Sequence, residues 1–281
     1  MKVTLINPNF SGFVDTPTLG LVFIGTFLKQ NNRCEIQLIE PIIQRHSREE
    51  TLMMVEGSDF VCLTCYTESR FECLDFCSEI KERYPKIIVI LGGPHVNTLD
   101  LQILQKHPFV DIIVRGEGEI AISEIINGKS LKEIPGVSWR SGSENIRNPF
   151  CKRASDIDIF KFDYELIPFV IHTWKDNEVP YAIKNLNAIP IITSRGCPFN
   201  CSFCAANRIW ENTYRKVSQE EVIIRIKELI DRYNIRYFRF FDALFIGNEN
   251  EIFKFCDLVM SLSCCKISSL SIQRDHLAVK R

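Results

Sequence analysis

Short apolar runs alternate with helix-like patterns over the first half of the chain, and this alternation restricts the fold more than any other feature. The strand-like runs are Lys2–Asn7, Cys34–Glu40, Ser58–Cys65, Lys86–Leu91 and Val110–Arg115. Apolar residues at helical spacing lie between or after these runs, at Leu19–Gln30, Glu68–Tyr84 and Glu119–Ile126. Buried strands separated by helices are typical of a parallel sheet covered on both faces. The first half is therefore predicted to form an α/β fold with a doubly wound parallel sheet.

The composition limits both the partners and the compartment. The 281 residues include 34 Lys and Arg and 35 Asp and Glu, so the net charge of −1 lacks the basic excess that nucleic-acid binding requires. No apolar run approaches the roughly 18 residues of a membrane-spanning helix, and the opening residues MKVTLINPNF lack the apolar core of a signal peptide. We therefore expect a cytoplasmic protein, with neither nucleic acid nor a membrane as its partner.

The pattern changes after residue 130, and a length of 281 residues suggests about two domains. Gly136–Arg140 and the polar turn Ser141–Asn145 predict a small hairpin, whereas the following residues up to 189 have little periodicity. We predict a Rossmann-like (flavodoxin-like) domain over 1–130, a hairpin and linker over 131–188, and a second α/β domain over 189–281. In the second domain, the predicted strands are Ile189–Ser194, Arg236–Phe241 and Lys266–Ile272, and the predicted helices are Ser218–Tyr233 and Asn250–Leu262.

Three of the 12 cysteines form the most specific motif of the chain. Cys197, Cys201 and Cys204 have C-x3-C-x2-C spacing in the segment RGCPFNCSFC, directly after a predicted strand. Three thiolates at this spacing can hold one iron–sulfur cluster and leave one iron open to an external ligand, because full ligation by protein would need a fourth cysteine. Zinc is the competing metal, although zinc sites usually combine paired C-x2-C units. The alternative without a metal is that these three cysteines are structural. The remaining nine, including Cys73 and Cys77, are expected mostly to pack as small apolar side chains.

With these residues, the segment from Thr193 to Cys204 resembles the radical S-adenosylmethionine (SAM) superfamily. The resemblance implies that Cys197, Cys201 and Cys204 hold a 4Fe-4S cluster, at which SAM is reductively cleaved to a 5′-deoxyadenosyl radical. It further implies that Phe203 lies near the adenine, and that Asp242 contacts SAM or the substrate. A small-molecule substrate and an electron donor such as flavodoxin or ferredoxin would be the partners.

Glycine motifs in the first half give a second resemblance, to the cobalamin-binding domain that precedes some radical SAM domains. They are Pro17–Gly20, Gly92-Gly93-Pro94-His95 and Arg115-Gly116-Glu117-Gly118-Glu119. Glycine lets the backbone approach a large flat ligand at the carboxyl end of a sheet, so Gly92, Gly93 and Gly116 are predicted to line the corrin, together with His95 and Glu117. The cobalt-ligating motif Asp-x-His-x-x-Gly is absent, so His95 is expected to line the pocket without binding cobalt. The alternatives are a capping or loop role for His95 and a solvated first-turn acid for Glu117.

The length limits the second domain. From Ile189 onward 93 residues remain, whereas a complete eight-unit barrel takes about 250. We therefore expect the first part of a (β/α) partial TIM barrel in a chain that is truncated. The leading hypothesis is a cobalamin-dependent radical SAM enzyme. Its reaction would be methyl transfer to an unactivated carbon or a rearrangement at such a carbon. The alternatives are a non-catalytic cobalamin-binding module with a degenerate or truncated barrel, and a structural zinc protein.

Overall fold

The computed structural model describes residues 1–11, 17–150, 157, 160–166, 188–233, 235, 237–245, 248–262 and 270–272. The chain divides into two compact units. The first consists of Met1–Ala154 with Phe160–Phe169, and the second of Ser155–Ile159 with Val170–Arg281. The domain boundaries predicted at residues 130 and 188 remain a prediction.

A seven-stranded sheet forms the centre of the first unit. Its strands are β1 (Lys2–Ile6), β2 (Glu35–Ile39), β3 (Phe60–Thr64), β4 (Ile88–Gly92), β5 (Ile112–Val114), β6 (Val137–Ser141) and β7 (Glu144–Arg147). The order is β2-β1-β3-β4-β5-β6-β7, with parallel pairing from β2 to β5 and antiparallel pairing of β6 and β7. The order 2-1-3-4-5 is that of a flavodoxin-like doubly wound sheet, so the predicted fold class is confirmed.

Helices connect the parallel strands of the first unit. They are α1 (Leu19–Asn31), α2 (Pro41–Gln44), α3 (Arg48–Met54), α4 (Arg70–Arg83), α5 (Val96–Lys106) and α6 (Glu119–Ile126). The sequence patterns predicted α1, α4 and α6, whereas α2, α3 and α5 were not predicted. The short helix α3 begins at a capping box, in which the Ser47 side chain accepts from the Glu50 amide and the Glu50 side chain accepts from the Ser47 amide.

Four of the nine remaining cysteines are buried in the first unit. Cys65, Cys73 and Cys77 are fully buried among residues of β3, α4 and β4, as expected for thiols that pack as small apolar groups. Burial also raises the pKa of the Cys62 thiol to about 12, so this side chain stays protonated. The nine cysteines that the structure describes form no disulfide.

The predicted hairpin forms, and it extends the first sheet. Trp139 of β6 pairs with Ile112 of β5, and β7 completes the edge. Farther along the chain, residues 160–166 pack on α1, where Phe162 contacts Phe23 with ring centroids 5.0 Å apart. Segments from the region predicted as a linker therefore belong to the packing of the first unit.

The second unit contains a three-stranded parallel sheet and a two-stranded ribbon. The sheet has the order β12-β11-β8, formed by β8 (Ala188–Ile191), β11 (Tyr237–Phe240) and β12 (Leu270–Ile272). The ribbon pairs β9 (Ser194–Gly196) with β10 (Tyr214–Lys216) in antiparallel fashion. The helices are α7 (Ala206–Trp210), α8 (Gln219–Tyr233) and α9 (Glu249–Met260). Parallel strands alternating with helices are the expected first part of a (β/α) barrel.

Two sequence predictions need comment here. The single strand predicted over Ile189–Ser194 is two strands, β8 and β9, because the chain leaves the sheet after Ile191 to pair with β10. Of the strand predicted over Lys266–Ile272, residues 266–269 lie outside the described residues, and Leu270–Ile272 form β12. Across the described ranges, we find no helix with the length and apolar character needed to span a membrane.

Candidate functional site

The three cysteines of the C-x3-C-x2-C motif lie on the loop that leaves β9. Cys197 directly follows the last residue of that strand, and the Cys204 amide donates to the Cys201 carbonyl at 3.1 Å, which closes a turn. Cys197 and Cys201 are half-buried, Cys204 is exposed, and none of the three is in a disulfide. The loop therefore presents three free thiols within eight residues of chain.

The ribbon of β9 and β10 holds the base of this loop. Gly196 pairs with Tyr214 and has a φ of +88°, in the left-handed region that favours glycine. A Cβ at this position would collide with the carbonyl oxygen of Thr213 and lie 3.3 Å from Cβ of Trp210. The turn into the cysteine loop thus requires glycine on both conformational and steric grounds.

Asp242, which was predicted to contact SAM or the substrate, is bound to the segment just before the cysteine loop. Its Oδ1 accepts from the Thr193 amide at 2.8 Å and from the Ser194 amide, and the hydroxyl of Ser194 lies 2.7 Å away. One carboxylate at the end of β11 therefore fixes the backbone between β8 and β9. The contact with SAM remains a prediction, and the structure adds an anchoring contact that the sequence did not indicate.

The second oxygen of Asp242, Oδ2, is buried and has no hydrogen-bond partner among the described residues. Burial raises the pKa of this carboxyl to about 6, against the lowering effect of its hydrogen bonds to Ser194 and Thr193. Nearby, burial and the charge of Asp242 raise the pKa of Tyr214 to about 12. The base of the cysteine loop is thus a desolvated polar environment.

The loop itself is open to solvent. Phe203, predicted to lie near the adenine, is 77% exposed, and Phe199 of the same loop is 53% exposed. Within the described ranges, no group of three or more His, Cys, Asp or Glu side chains is close enough together to hold a metal ion. The three thiols therefore share a loop without converging on one point.

The donor set of this loop still fits an iron–sulfur cluster in its chemistry. Cys197, Cys201 and Cys204 are in no disulfide, and each is half-buried or exposed. Thiolates are the ligands that iron–sulfur clusters take from proteins, and three of them leave one iron open. Because a metal contributes binding energy to the folding of its ligand loop, such a loop need not bring its thiols together before the cluster binds.

The glycine motifs of the first unit meet at the carboxyl edge of its sheet. Gly93 follows β4 with a φ of +95°, and a Cβ there would lie 2.7 Å from the backbone nitrogen of Cys65. The need for glycine at this position thus comes from close packing against the end of β3. At Gly92, an added Cβ would make only ordinary contacts, the nearest at 3.7 Å, so this position is sterically free to carry a side chain.

His95 directly precedes α5 and faces the end of β3. Its Nδ1 lies 3.2 Å from the Thr67 hydroxyl, and its amide donates to the Cys65 carbonyl at 3.1 Å. Partial burial and the nearby Arg70 guanidinium lower the pKa of the imidazole. The half-buried ring is therefore a neutral group near pH 7, and it lies between two loops of the carboxyl edge.

Gly116 and Glu117 lie one strand farther along the same edge. Gly116 has a φ of +77° and donates its amide to Oδ1 of Asn97 at 2.6 Å. Glu117 is half-buried. The structure thus brings the predicted cobalamin residues of β4 and β5 to one edge, with Asn97 of α5 joining the two loops. At the start of α1, Gly20 is exposed, and nothing lies within 4 Å of a Cβ built on it.

A buried polar cluster at this edge was missed by the sequence analysis. Glu40, which follows β2, is 2% exposed, and it accepts hydrogen bonds from the Thr18 amide at 2.6 Å and from Nδ2 of Asn7 at 3.2 Å. Burial raises the pKa of Glu40 to about 7 despite these bonds. The available signal was a carboxylate at the end of an apolar strand, where burial is unusual without a partner.

Two family models match the chain, one in each of its two units. The model of the B12 binding domain family matches residues 11–126, and that of the Radical SAM superfamily matches residues 191–260. The chain is 29% identical over 225 residues to the cobalamin-dependent radical SAM methyltransferase TokK of Streptomyces tokunonensis, covering 76% of this chain and 32% of that protein. It is 24% identical over 271 residues to an anaerobic magnesium-protoporphyrin IX monomethyl ester cyclase of Cereibacter sphaeroides, covering 92% of this chain and 43% of the cyclase.

A solved structure agrees with the fold over most of the chain. The radical SAM methyltransferase TsrM from Kitasatospora setae superposes with a TM-score of 0.68 at 17% identity, over 92% of this chain and 50% of that one. The chain thus spans half or less of the length of each of these three proteins. The B12 binding domain match thus lies ahead of the Radical SAM superfamily match in the chain, and the three-cysteine motif lies within the second match.

Proposed function

We propose that this chain forms the cobalamin-binding and cluster-binding part of a cobalamin-dependent radical SAM enzyme that transfers a methyl group to an unactivated carbon. The observation that carries the proposal is the loop of three free thiols, held at its base by Gly196 and Asp242. When bound, a 4Fe-4S cluster with SAM and a cobalamin would supply reductive SAM cleavage and a transferable methyl group. The relatives that are named methyltransferases favour methyl transfer over rearrangement.

The residues of the second unit would hold and orient the cluster and SAM. Cys197, Cys201 and Cys204 would be the thiolate ligands, and the two ends of their loop are fixed by the β9–β10 pairing. Asp242 would keep the segment before the loop in place through its bonds to the Thr193 and Ser194 amides. The exposed ring of Phe203 would stack on the adenine, because an aromatic face in solvent gains from covering a flat base.

The residues of the first unit would bind the corrin along the carboxyl edge of the sheet. Gly93 and Gly116 let the two loops approach each other and the ligand, and His95 would face the corrin as a neutral polar side chain. Gly92 and Glu117 lie beside them and would complete the lining. Open α/β sheets bind ligands at this edge because the loops diverge at the topological switch point.

A small-molecule substrate and a one-electron donor of the flavodoxin or ferredoxin class follow from the same chemistry. The exposed Cys204 would offer the donor an accessible side of the cluster-binding loop. We place this reaction in the reducing cytoplasm, which also suits a chain whose described cysteines are all free.

Anaerobic reconstitution with iron and sulfide tests the proposal. The wild-type chain is expected to gain iron and a broad visible absorbance, and the triple variant Cys197→Ala, Cys201→Ala, Cys204→Ala is expected to gain neither. A matched control removes two other accessible thiols, Cys34 and Cys256, and should leave the iron content unchanged. If the iron content of the reconstituted wild-type chain stays at background, the cluster assignment is contradicted. Bound zinc would instead favour a structural zinc protein.

Titration with hydroxocobalamin and a SAM-cleavage assay with dithionite then separate the enzyme from a non-catalytic module. Corrin binding together with formation of 5′-deoxyadenosine supports the enzyme. Corrin binding without cleavage, in a chain that holds its cluster, would support the module instead.

A further inference from the structure

Glu40 connects both ends of the segment that joins β1 to α1. Its Oε1 accepts from the Thr18 amide, just before α1, and its Oε2 accepts from the side-chain amide of Asn7, just after β1. The Glu40 amide in turn donates to Oε1 of Gln44 at 2.6 Å, which fixes the carboxylate relative to α2. One buried carboxylate from β2 thus holds the two ends of residues 8–17.

The sheet topology puts this segment at the ligand edge. The chain passes from β1 to β2 on one side and returns to β3 on the other, so β1 and β3 flank the topological switch point. Ligands of flavodoxin-like sheets bind at the carboxyl end of these two strands. The β1–α1 segment leaves the sheet at that point, and Glu40 lies one strand away from it.

We propose that Glu40 is a positioning residue for the cobalamin site, because it fixes both ends of the β1–α1 segment where the corrin binds. The inference rests on the proposed function, which assigns cobalamin to this edge. Glu40 acts through Thr18 and Asn7, and the proposal does not require that it touch the ligand.

The groups around Glu40 allow its carboxyl to bond to both Thr18 and Asn7, whether that carboxyl is charged or protonated. Oδ1 of Asn7 is buried and has no hydrogen-bond partner among the described residues. When Glu40 takes up a proton, its hydroxyl can donate to this oxygen after the Asn7 amide turns over, and the other oxygen still accepts from Thr18. Tyr66, after β3, is a titratable group that faces Glu40, and burial together with the Glu40 charge raises its pKa.

Three variants of the full 281-residue chain test the proposal. Glu40→Leu leaves two buried donors without acceptors, whereas Glu40→Gln keeps one acceptor for Thr18 and offers a donor to Oδ1 of Asn7. Glu35→Leu is the matched control, because this exposed residue lies at the opposite end of β2. The two measurements are amide hydrogen exchange of peptides covering residues 8–19 without cobalamin, and the Kd for hydroxocobalamin.

Glu40→Leu is expected to speed exchange in residues 8–19 and to raise the Kd for hydroxocobalamin about tenfold or more, since the Thr18 amide and the Asn7 side-chain amide both lose their acceptor. The Kd of Glu40→Gln for hydroxocobalamin should stay within about threefold of the wild-type value. The Kd of Glu35→Leu should equal that of the wild type. If Glu40→Leu does not fold, Glu40→Asp replaces it. Its shorter side chain cannot reach both partners, and its Kd should rise about fivefold.

The outcomes separate this inference from the proposed function. If amide hydrogen exchange in residues 8–19 of Glu40→Leu is as slow as in the wild type, the positioning role is overturned. Faster exchange with an unchanged Kd for hydroxocobalamin would overturn it as well. A wild-type chain that does not bind hydroxocobalamin would overturn the proposed cobalamin site itself, and with it the inference. Equal losses in Glu40→Leu and Glu35→Leu would also overturn the inference, because the effect would then not depend on the carboxyl edge.

Discussion

The carboxyl edge of the first sheet and the cysteine loop of the second unit differ in how much of each site is built by folding alone. At the sheet edge, the buried hydrogen bond of Glu40 with Thr18 and the partly buried one of Gly116 with Asn97 fix the loops in place. In the cysteine loop only the base is fixed, by Gly196 and Asp242, and the thiols do not converge. A corrin can bind to loops that are already packed, whereas a cluster gathers its own ligands and adds its binding energy to the fold.

The largest expected effect comes from a substitution at the base of the cysteine loop. It should impair the cluster site of the second unit and leave the cobalamin site of the first unit intact. Gly196→Ala puts a Cβ against the Thr213 carbonyl at a positive φ, so the β9–β10 pairing cannot persist unchanged. Reconstituted iron should fall to about a tenth of wild type or less, while hydroxocobalamin binding by the first unit is unaffected.

Gly128→Ala is the matched control for Gly196→Ala. Gly128 also has a positive φ, of +77°, but nothing lies within 4 Å of a Cβ built there. This variant should lose about 1 kcal/mol of stability and no iron. Loss of cobalamin binding in Gly196→Ala would show that the two sites do not respond independently.

A smaller effect is expected from the ionic network that supports the sheet edge. Asp100 is 2% exposed and lies 3.2 Å from Nε of Arg115, 3.0 Å from Nε of Arg147 and 2.6 Å from the Ser138 hydroxyl. Asp100→Asn leaves the buried Arg115 without its counter-ion and should lower the free energy of unfolding by about 3–5 kcal/mol. Urea denaturation of the full chain measures this change, with hydrogen exchange of β5 and β6 peptides assigning it to the first unit.

The control for Asp100→Asn is the exposed ion pair of Glu49 and Arg83. Glu49→Gln should change the free energy of unfolding by about 0–1 kcal/mol, because solvent screens such pairs. If both variants cost the same, burial does not determine the strength of these contacts.

The pH dependence of stability gives the next effect. The pKa of Glu40 is about 7 in the folded chain against an ordinary 4.5, so the folded chain binds more protons between these values. The free energy of unfolding should therefore fall as pH rises from about 4.5 to about 7, by up to about 3 kcal/mol from this group. Glu40→Gln should remove this component, which urea denaturation at pH 5 and pH 8 measures. If the free energy of unfolding of Glu40→Gln depends on pH as that of the wild type does, the raised pKa of Glu40 is contradicted.

The sequence was informative where structure depends on neighbouring residues. Continuous apolar runs located β1 to β5 to within a few residues, and the spacing of Cys197, Cys201 and Cys204 identified their loop without any structural knowledge. The sequence also predicted the β6–β7 hairpin from its turn, but not its place beside β5, because strand pairing across the chain has no local signature.

Two contacts that the sequence did not indicate join residues that are far apart in the chain. Asp242 bonds to Thr193, 49 residues away, and Glu40 bonds to Asn7, 33 residues away. Periodicity and motif spacing carry no information on such pairs. The helix α5 was missed for a different reason, because its sequence VNTLDLQILQK mixes buried polar residues such as Asn97 and Asp100 with the apolar ones.

The smallest expected effect concerns the exposed aromatic residue of the cysteine loop. Phe203→Ala removes a ring that is 77% exposed, so neither stability nor iron content should change measurably. If the ring stacks on the adenine, the Kd for SAM should rise about fivefold, because stacking of a base on an aromatic ring is worth about 1–3 kcal/mol.

Phe199→Ala is the matched control for Phe203→Ala, since Phe199 is 53% exposed on the same loop and is not predicted to contact SAM. Isothermal titration of the reconstituted chain with SAM measures both variants. Equal losses would mean that the loop binds SAM through general apolar character. A loss confined to Phe203→Ala would assign the adenine contact to a residue that the cysteine loop leaves exposed, whereas the residues predicted to line the corrin at the sheet edge are half-buried.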